Sequence, residues 1–286
     1  MREIFIGSEQ LTAGALTRGQ LRWGYEALFP DVYALKKAAP SLSRRISGAW
    51  LWSGRQGVVA GRAAAALHGA RWVDAKTPIE LIGRRTRSPD GIVVHNERID
   101  ADEIVDIDGM LVTSPTRTAL DLARHLPRDT AVRHLDALAR ATGILAEDVL
   151  ALASRYPRAR GLRRSEVALG LMDAGAQSPR ETSLRLLFID AGFPRPQTQI
   201  RVSDGFNTAF VDMGWEGPRI GAEYDGDQHL KDRKTYVNDI GRNELVRREG
   251  WFDLHVVAEH SPRFIISRTA DAFERRGYAL TLRSRS

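Results

Sequence analysis

A change of pattern at Gly175-Ala176-Gln177 constrains this chain most, because the stretches on either side of it call for different architectures. Residues 127–174 read as mostly helical, with a basic, glycine-containing break at Arg155–Arg164. Beyond Gln177 the order becomes helix, strand, strand, helix, strand, helix, an α/β arrangement. The 286 residues agree with about two domains, placed at 1–176 and 177–286. No apolar run approaches the roughly 20 residues that cross a bilayer. Met1–Gly7 gives way to Ser8, Glu9 and Gln10 too soon for a signal peptide. The expectation is a cytoplasmic protein with no membrane partner.

The chain has no cysteine, which removes disulfides, thiolate nucleophiles and cysteine-based zinc sites together. A metal would therefore sit on oxygen or imidazole, which favours Mg²⁺ or Mn²⁺. Lys plus Arg total 42 against 36 Asp plus Glu, a net +6. That surplus is compatible with a polyanionic partner without identifying one.

In the N-terminal part, Leu11, Leu16 and Leu21 anchor a small helix-turn-helix whose second helix is capped by Thr17. Phe29–Leu35 follows as a short strand or wing after a turn at Pro30-Asp31. Residues 58–70 have high helix propensity and stop at Gly69. Ile79–Ile82 and Ile92–His95 are strand-like, and Val112-Thr113 leads into a helix capped by Ser114 with Pro115 first. The expected class here is a mostly helical α+β domain.

In the C-terminal part, Ser178-Pro179-Arg180-Glu181 opens a helix carrying Leu184, Leu187, Phe188 and Ala191 and ended by Gly192. Strands are expected at Thr198–Val202, Ala209–Met213 and Arg219–Asp225. Alternation on the last puts Gly221, Glu223 and Asp225 on one face, with the two carboxylates about 7 Å apart. Asp212 on the paired strand reaches the same spot if the register allows. Converging carboxylates repel one another unless a cation neutralises them, which is the reason to expect Mg²⁺. Glu181, three residues after Ser178, fits a capping box, a metal ligand, or both. The helix from Asp232 to Arg248 carries Arg233, Lys234, Arg242, Arg247 and Arg248, as a solvated face or as a phosphate track. His68 and His95 read as structural, and Trp50 and Trp52 as core residues.

Several of these segments resemble known families. Val211-Asp212, Glu223-Tyr224-Asp225-Gly226-Asp227-Gln228-His229, Asp239–Leu245 and Gly250-Trp251 resemble the DUF559 group. That group is related to very-short-patch-repair endonucleases of the PD-(D/E)XK superfamily, and the resemblance covers about residues 177–276. It implies a restriction-endonuclease-like mixed sheet flanked by helices, and phosphodiester hydrolysis by metal-activated water. Carried over, Asp212 and Glu223 would be metal ligands, and Asp225 a third ligand or a water orienter. Gln228 and His229 would hold the scissile phosphate, or His229 would protonate the leaving group. Glu181 would add a ligand from the helix. The superfamily's third signature position, usually Lys, is Asp225 here, with Lys231 as a candidate replacement. Lys231, Arg233, Lys234 and Arg242 are the expected DNA contacts in this half.

Leu16–Leu21, Val32-Tyr33, Ala64–Gly69 and Thr113–Ala123 resemble AbiEi-like proteins, winged-helix modules of type IV antitoxins, over roughly residues 8–125. This implies binding to DNA through the second helix and wing, with Arg18 and Arg22 in contact. Together the resemblances imply a Mg²⁺- or Mn²⁺-dependent DNA endonuclease acting on duplex, structured or single-stranded DNA. The alternative is an antitoxin-like DNA-binding transcriptional regulator whose nuclease fold is idle, and an RNA substrate is a third option.

Overall fold

A computed structural model describes residues 4–36, 39, 41–84, 87–225 and 233–282, with the side chains of 233–240 set aside. The chain divides into two compact units, residues 1–172 and 173–286. No helix among the described residues is long and apolar enough to cross a membrane.

The first unit begins with β1 (Ile4–Ile6), α1 (Gly7–Thr12), α2 (Arg18–Gly24), β2 (Tyr25–Phe29) and β3 (Val32–Leu35). The three strands form an antiparallel sheet in the order β1-β3-β2. Thr17 caps α2 through a capping box with Gln20, which satisfies backbone N–H groups that the first turn leaves without partners. Two short helices and a hairpin thus occupy the segment where a helix-turn-helix and wing are expected. Phe5, Leu16 and Leu21 pack beneath them.

There follow α3 (Leu42–Trp52), β4 (Val58–Ala60), α4 (Gly61–Leu67), β5 (Ile79–Ile82), β6 (Ile92–His95), β7 (Ile104–Ile107) and β8 (Met110–Thr113). The last five strands form a mixed sheet in the order β6-β5-β4-β8-β7. Four helices complete the unit: α5 (Pro115–His125), α6 (Arg128–Thr142), α7 (Ala146–Ala153) and α8 (Leu162–Gly170). Ser114 caps α5 and Pro115 is its first residue, as the sequence indicates. Trp50 and Trp52 pack partly buried against the sheet's core.

Two expectations need correction. Residues 58–70 are not one helix, because Val58-Val59-Ala60 is a buried central strand and α4 starts only at Gly61. Gly61 makes that switch with φ +56, and a Cβ there would lie 2.5 Å from the Glu80 carboxylate. The unit is also richer in sheet than expected, holding β1 to β8. Strands of three to five residues are too short for their period to stand out.

Charged groups are buried along α5. The Arg117 guanidinium is 1% exposed and meets Asp121 at 3.0 Å, Glu103 at 2.7 Å and Glu97 at 3.3 Å. Burial works against its charge, but Asp121 and Glu103 more than offset that and hold its pKa above the ordinary value. Arg124 and His125 add contacts to Glu97, whose carboxyl is held well below the usual range by the His125 hydrogen bond and by Arg124.

The second unit runs α9 (Pro179–Ala191), β9 (Gln197–Ser203), β10 (Thr208–Trp215), β11 (Ile220–Tyr224), α10 (Arg233–Arg248), β12 (Phe252–Val256) and α11 (Pro262–Arg275). Its sheet has the order β12-β11-β10-β9, antiparallel except for the parallel β11/β12 pair. One core joins Leu184 and Phe188 of α9 to Met213, Trp215, Ala222, Leu254 and Phe273. A second, smaller core joins Ile200, Val202, Ala209 and Val211 to Leu245 and Val246 of α10. The mixed sheet is covered by helices on both faces.

Replacing Arg117 with Met removes the cation while keeping much of its bulk, leaving Glu103 and Asp121 buried without it. The expected loss is about 3–5 kcal/mol. It should be read as a lower urea midpoint at unchanged slope.

Candidate functional site

Parallel pairing sets Gly221 beside Asp253 and Glu223 beside His255, so the polar residues of β11 and β12 share one face. On the other side of β11, Met213 pairs with Ala222, and Asp212 and Glu223 are next along. The ladder between β9 and β10 records no pairing of Asp212 with Gln199, between the pairs Val211–Ile200 and Met213–Thr198. Gln199 there holds a left-handed backbone, φ +52. Val211 and Met213, two residues apart, consequently enter different cores instead of the same one. The break lies at Asp212, whose carboxylate shares the face of Glu223 because Met213 pairs with Ala222.

The result is a crowded group of acids. Glu223 is 2% exposed and Asp253 nearly as buried. Glu223 Oε1 and Asp253 Oδ1 have no hydrogen-bond partner among the described residues. Burial, with Asp253 and Asp212 nearby, pushes the Glu223 carboxyl up to about 7. Burial also raises Asp212, even though the Tyr224 N–H donates to its Oδ2 at 3.3 Å. Gly221 makes room for the group. A Cβ on it would meet Val211 Cγ1 at 2.8 Å and Asp253 Oδ1 at 3.1 Å.

Among the described residues, two cations answer these acids in part. Arg242 of α10 forms an ion pair with Glu223 Oε2 and donates to the Phe210 carbonyl at 3.1 Å. His255 lies between Asp225, 3.0 Å from Nδ1, and Asp253, 3.3 Å from Nε2. Hydrogen bonding to those carboxylates lifts its pKa to about 10, so the imidazole is cationic at neutral pH. A carboxylate oxygen of Glu223, one of Asp225 and a ring nitrogen of His255 lie within 4.8 Å of one another, the nitrogen being able to ligate only from the neutral imidazole. Buried carboxylate oxygens without partners, and acids forced toward protonation, fit a hard divalent cation. Glu223 and Asp225, the carboxylates of that close group, are the residues that would hold it, with Asp212 and Asp253 adding negative charge beside them.

Among the residues singled out from sequence, Asp212, Glu223 and Asp225 come together. Glu181 is buried on α9, its backbone N–H donating to Ser178 Oγ and its carboxylate accepting from the Gln177 N–H at 2.8 Å. Gln228, His229 and Lys231 lie outside the described residues, as do the side chains of Arg233 and Lys234. Arg242 forms its ion pair with Glu223. Arg18 and Arg22 are exposed on α2, with Arg22 5.9 Å from the ring of Trp23, itself 77% exposed. Asp253 and His255 were not singled out. Their signal was the alternation Asp253-Leu254-His255-Val256 following Gly250-Trp251. In the first unit, His68 Nε2 meets the Thr113 carbonyl at 2.7 Å. His95 meets Glu80 at 3.2 Å and stacks on His125.

Comparison with known proteins adds to this geometry. Residues 57–171 match the model of the AbiEi antitoxin C-terminal domain. Of the resembling motifs, Ala64–Gly69 and Thr113–Ala123 fall inside that span and Leu16–Leu21 before it. The chain is 28% identical over 252 residues to the uncharacterized protein Rv2248 of Mycobacterium tuberculosis strain H37Rv. The uncharacterized protein MT2308 of strain CDC 1551 matches equally, each alignment covering 85% of this chain and 91% of the relative. Among solved structures, the RV2827C protein of Mycobacterium tuberculosis is similar at 17% identity and a TM-score of 0.40, over 70% of this chain and 83% of that one.

Because the folded protein binds the Glu223 proton more tightly than the unfolded chain, the stabilisation is complete below the ordinary carboxylate range. It is lost as pH rises through about 7. Without divalent cation, thermal stability should therefore fall between about pH 4.5 and 7, a decline that Glu223→Gln flattens. Differential scanning calorimetry across pH 4–8 checks this, and an unchanged pH profile in Glu223→Gln would contradict the assignment.

Proposed function

We propose that this protein acts on DNA with two units: an antitoxin-like DNA-binding part and a divalent-cation-dependent phosphodiesterase part. The observation that carries the second half is the convergence of Asp212, Glu223 and Asp253 on one sheet face, with buried oxygens that no described residue satisfies. The DUF559-like motifs at Asp212, Glu223 and Asp225 support the same reading. A bound Mg²⁺ or Mn²⁺ supplies water of lowered pKa and positive charge against the pentavalent phosphorus of the transition state.

The protein's own groups do the rest. Glu223 and Asp225 supply hard anionic oxygens, and repulsion from Asp212 and Asp253 gives the site its appetite for a cation. Asp225 and Asp253 hold the His255 imidazolium in place, where it is a fixed donor and positive charge for a phosphate oxygen. Arg242 partners Glu223 and is positioned to shift to a phosphate once Glu223 is otherwise engaged. Arg18 and Arg22, with Trp23 beside them, are the exposed basic surface of α2 for docking on duplex.

A specific finding favours a second reading. The match to the AbiEi antitoxin C-terminal domain supports a regulator that binds DNA and a cognate toxin, its nuclease-like site idle. The Arg242–Glu223 ion pair suits that reading as well, since it neutralises one acid from within.

Plasmid and single-stranded DNA, incubated with Mg²⁺ or Mn²⁺, separate the two. Asp212→Ala and Glu223→Ala should each lower cleavage at least a hundredfold, on the order of losing ~3 kcal/mol of transition-state stabilisation. Duplex binding should be unchanged. Absence of cutting by the wild type alongside tight, sequence-selective duplex binding would establish the regulator instead. Cleavage that persists in both variants would remove the site from the reaction.

A further inference from the structure

The basic break between α7 and α8 takes no part in either reading above. Its ten residues, Arg155-Tyr156-Pro157-Arg158-Ala159-Arg160-Gly161-Leu162-Arg163-Arg164, contain five arginines and no acid. Such a run is most often a solvated stretch of chain. Here the structure adds three features that a merely solvated loop does not need.

First, the loop is fixed. The Arg124 guanidinium donates from Nε to the Arg160 carbonyl at 2.9 Å. Tyr156 donates to Glu103 from its hydroxyl, and its ring lies under Arg117 and Arg98 at 5.2 and 5.7 Å. Gly161 takes φ +86 against α5, where a Cβ would lie 2.7 Å from the Arg124 carbonyl oxygen. Second, the loop walls a cavity of about 400 Å³ lined also by Arg98, Arg124 and Glu97. The acids nearby are already matched: Asp102 by Arg155, Asp100 by Arg98, and Glu97 by Arg124 and His125. Third, Arg158, Arg160, Arg163 and Arg164 are exposed and have no carboxylate partner among the described residues. Arg163 and Arg164 lie in the first turn of α8, a helix of nine residues. Its N-cap, Gly161, offers no side-chain cap, and no acid follows in the first turn.

From the four unmatched guanidiniums on this fixed loop beside the Arg98–Arg124 cavity, we infer that the loop binds the phosphate backbone of a nucleic acid. Phosphate is the ligand for which planar guanidiniums and an uncapped helix start are jointly suited. Four charges spread along a run instead of converging on one point suit successive phosphates better than a single one. The contact is separate from the α2 surface, and it carries no base-specific group, so it contributes affinity and position more than sequence choice. It does not rest on the phosphodiesterase reading.

The test measures binding of the full-length protein to a fluorescent duplex and to an RNA of equal length, by anisotropy at several salt concentrations. For B-DNA the slope of log K against log salt changes by about 0.9 for each phosphate neutralised. Joint replacement of Arg158, Arg160, Arg163 and Arg164 by Ala should reduce that slope by roughly three to four and weaken binding at least about tenfold. Joint replacement by Lys should restore the slope, since charge is kept. Should the quadruple Ala variant lose its thermal transition, Arg158→Ala and Arg160→Ala singly should each remove about one unit. Arg18→Ala with Arg22→Ala tests the α2 surface independently, so failure there leaves this inference standing. An Ala variant with the wild-type slope on both nucleic acids overturns it. So does a Lys variant that fails to recover the slope, or displacement of the duplex by micromolar ADP, which would make the cavity a mononucleotide site.

Discussion

Like charges repel most where water is excluded, and the sheet of the C-terminal unit brings Asp212, Glu223 and Asp253 into such a place. Three features make the arrangement possible: a parallel partner strand, a glycine at 221, and the hairpin register that sets Met213 beside Ala222. Arg242 and His255 answer part of the charge, yet Glu223 is still pushed up to about 7, chiefly by burial and by Asp253. The site is therefore a place where the fold gives up stability, which the divalent cation of the proposed function would return.

The N-terminal unit handles buried acids differently. Glu103, Asp121 and Glu97 are met by Arg117, Arg124 and His125 within the same network, although burial still raises Asp121 and its Oδ2 has no hydrogen-bond partner among the described residues. A network with a cation for each acid holds helix to sheet, whereas acids that outnumber their cations mark a candidate place for a ligand. The contrast between the units explains why similar residue types carry architecture in one and candidate chemistry in the other. It also sets off Arg158–Arg164, where the imbalance has the opposite sign and lies on the surface.

Legibility from sequence followed the distance over which each pattern is written. Asp212, Glu223 and Asp225 could be placed together because strand alternation and a hairpin are local rules. The Thr17, Ser114 and Ser178 caps were legible for the same reason. Asp253 and His255 escaped because their position depends on parallel pairing across α10, which no short pattern announces. The central strand Val58–Ala60 was hidden in an alanine-rich stretch whose propensity is helical, and tertiary pairing with β5 and β8 prevailed. The break at Asp212 depends on a left-handed Gln199, a conformation that residue type does not foretell.

The parallel pairing of β11 with β12 has a consequence for the order in which the molecule assembles. Glu223 and Asp253 stand on strands joined only through the α10 crossover, so they meet when that long connection closes. Closure of a non-local contact is already slow, and here it must also press acids together. The carboxylates thus act against the closure of their own sheet, and protonation of Glu223, or the cation of the proposed function, would ease it.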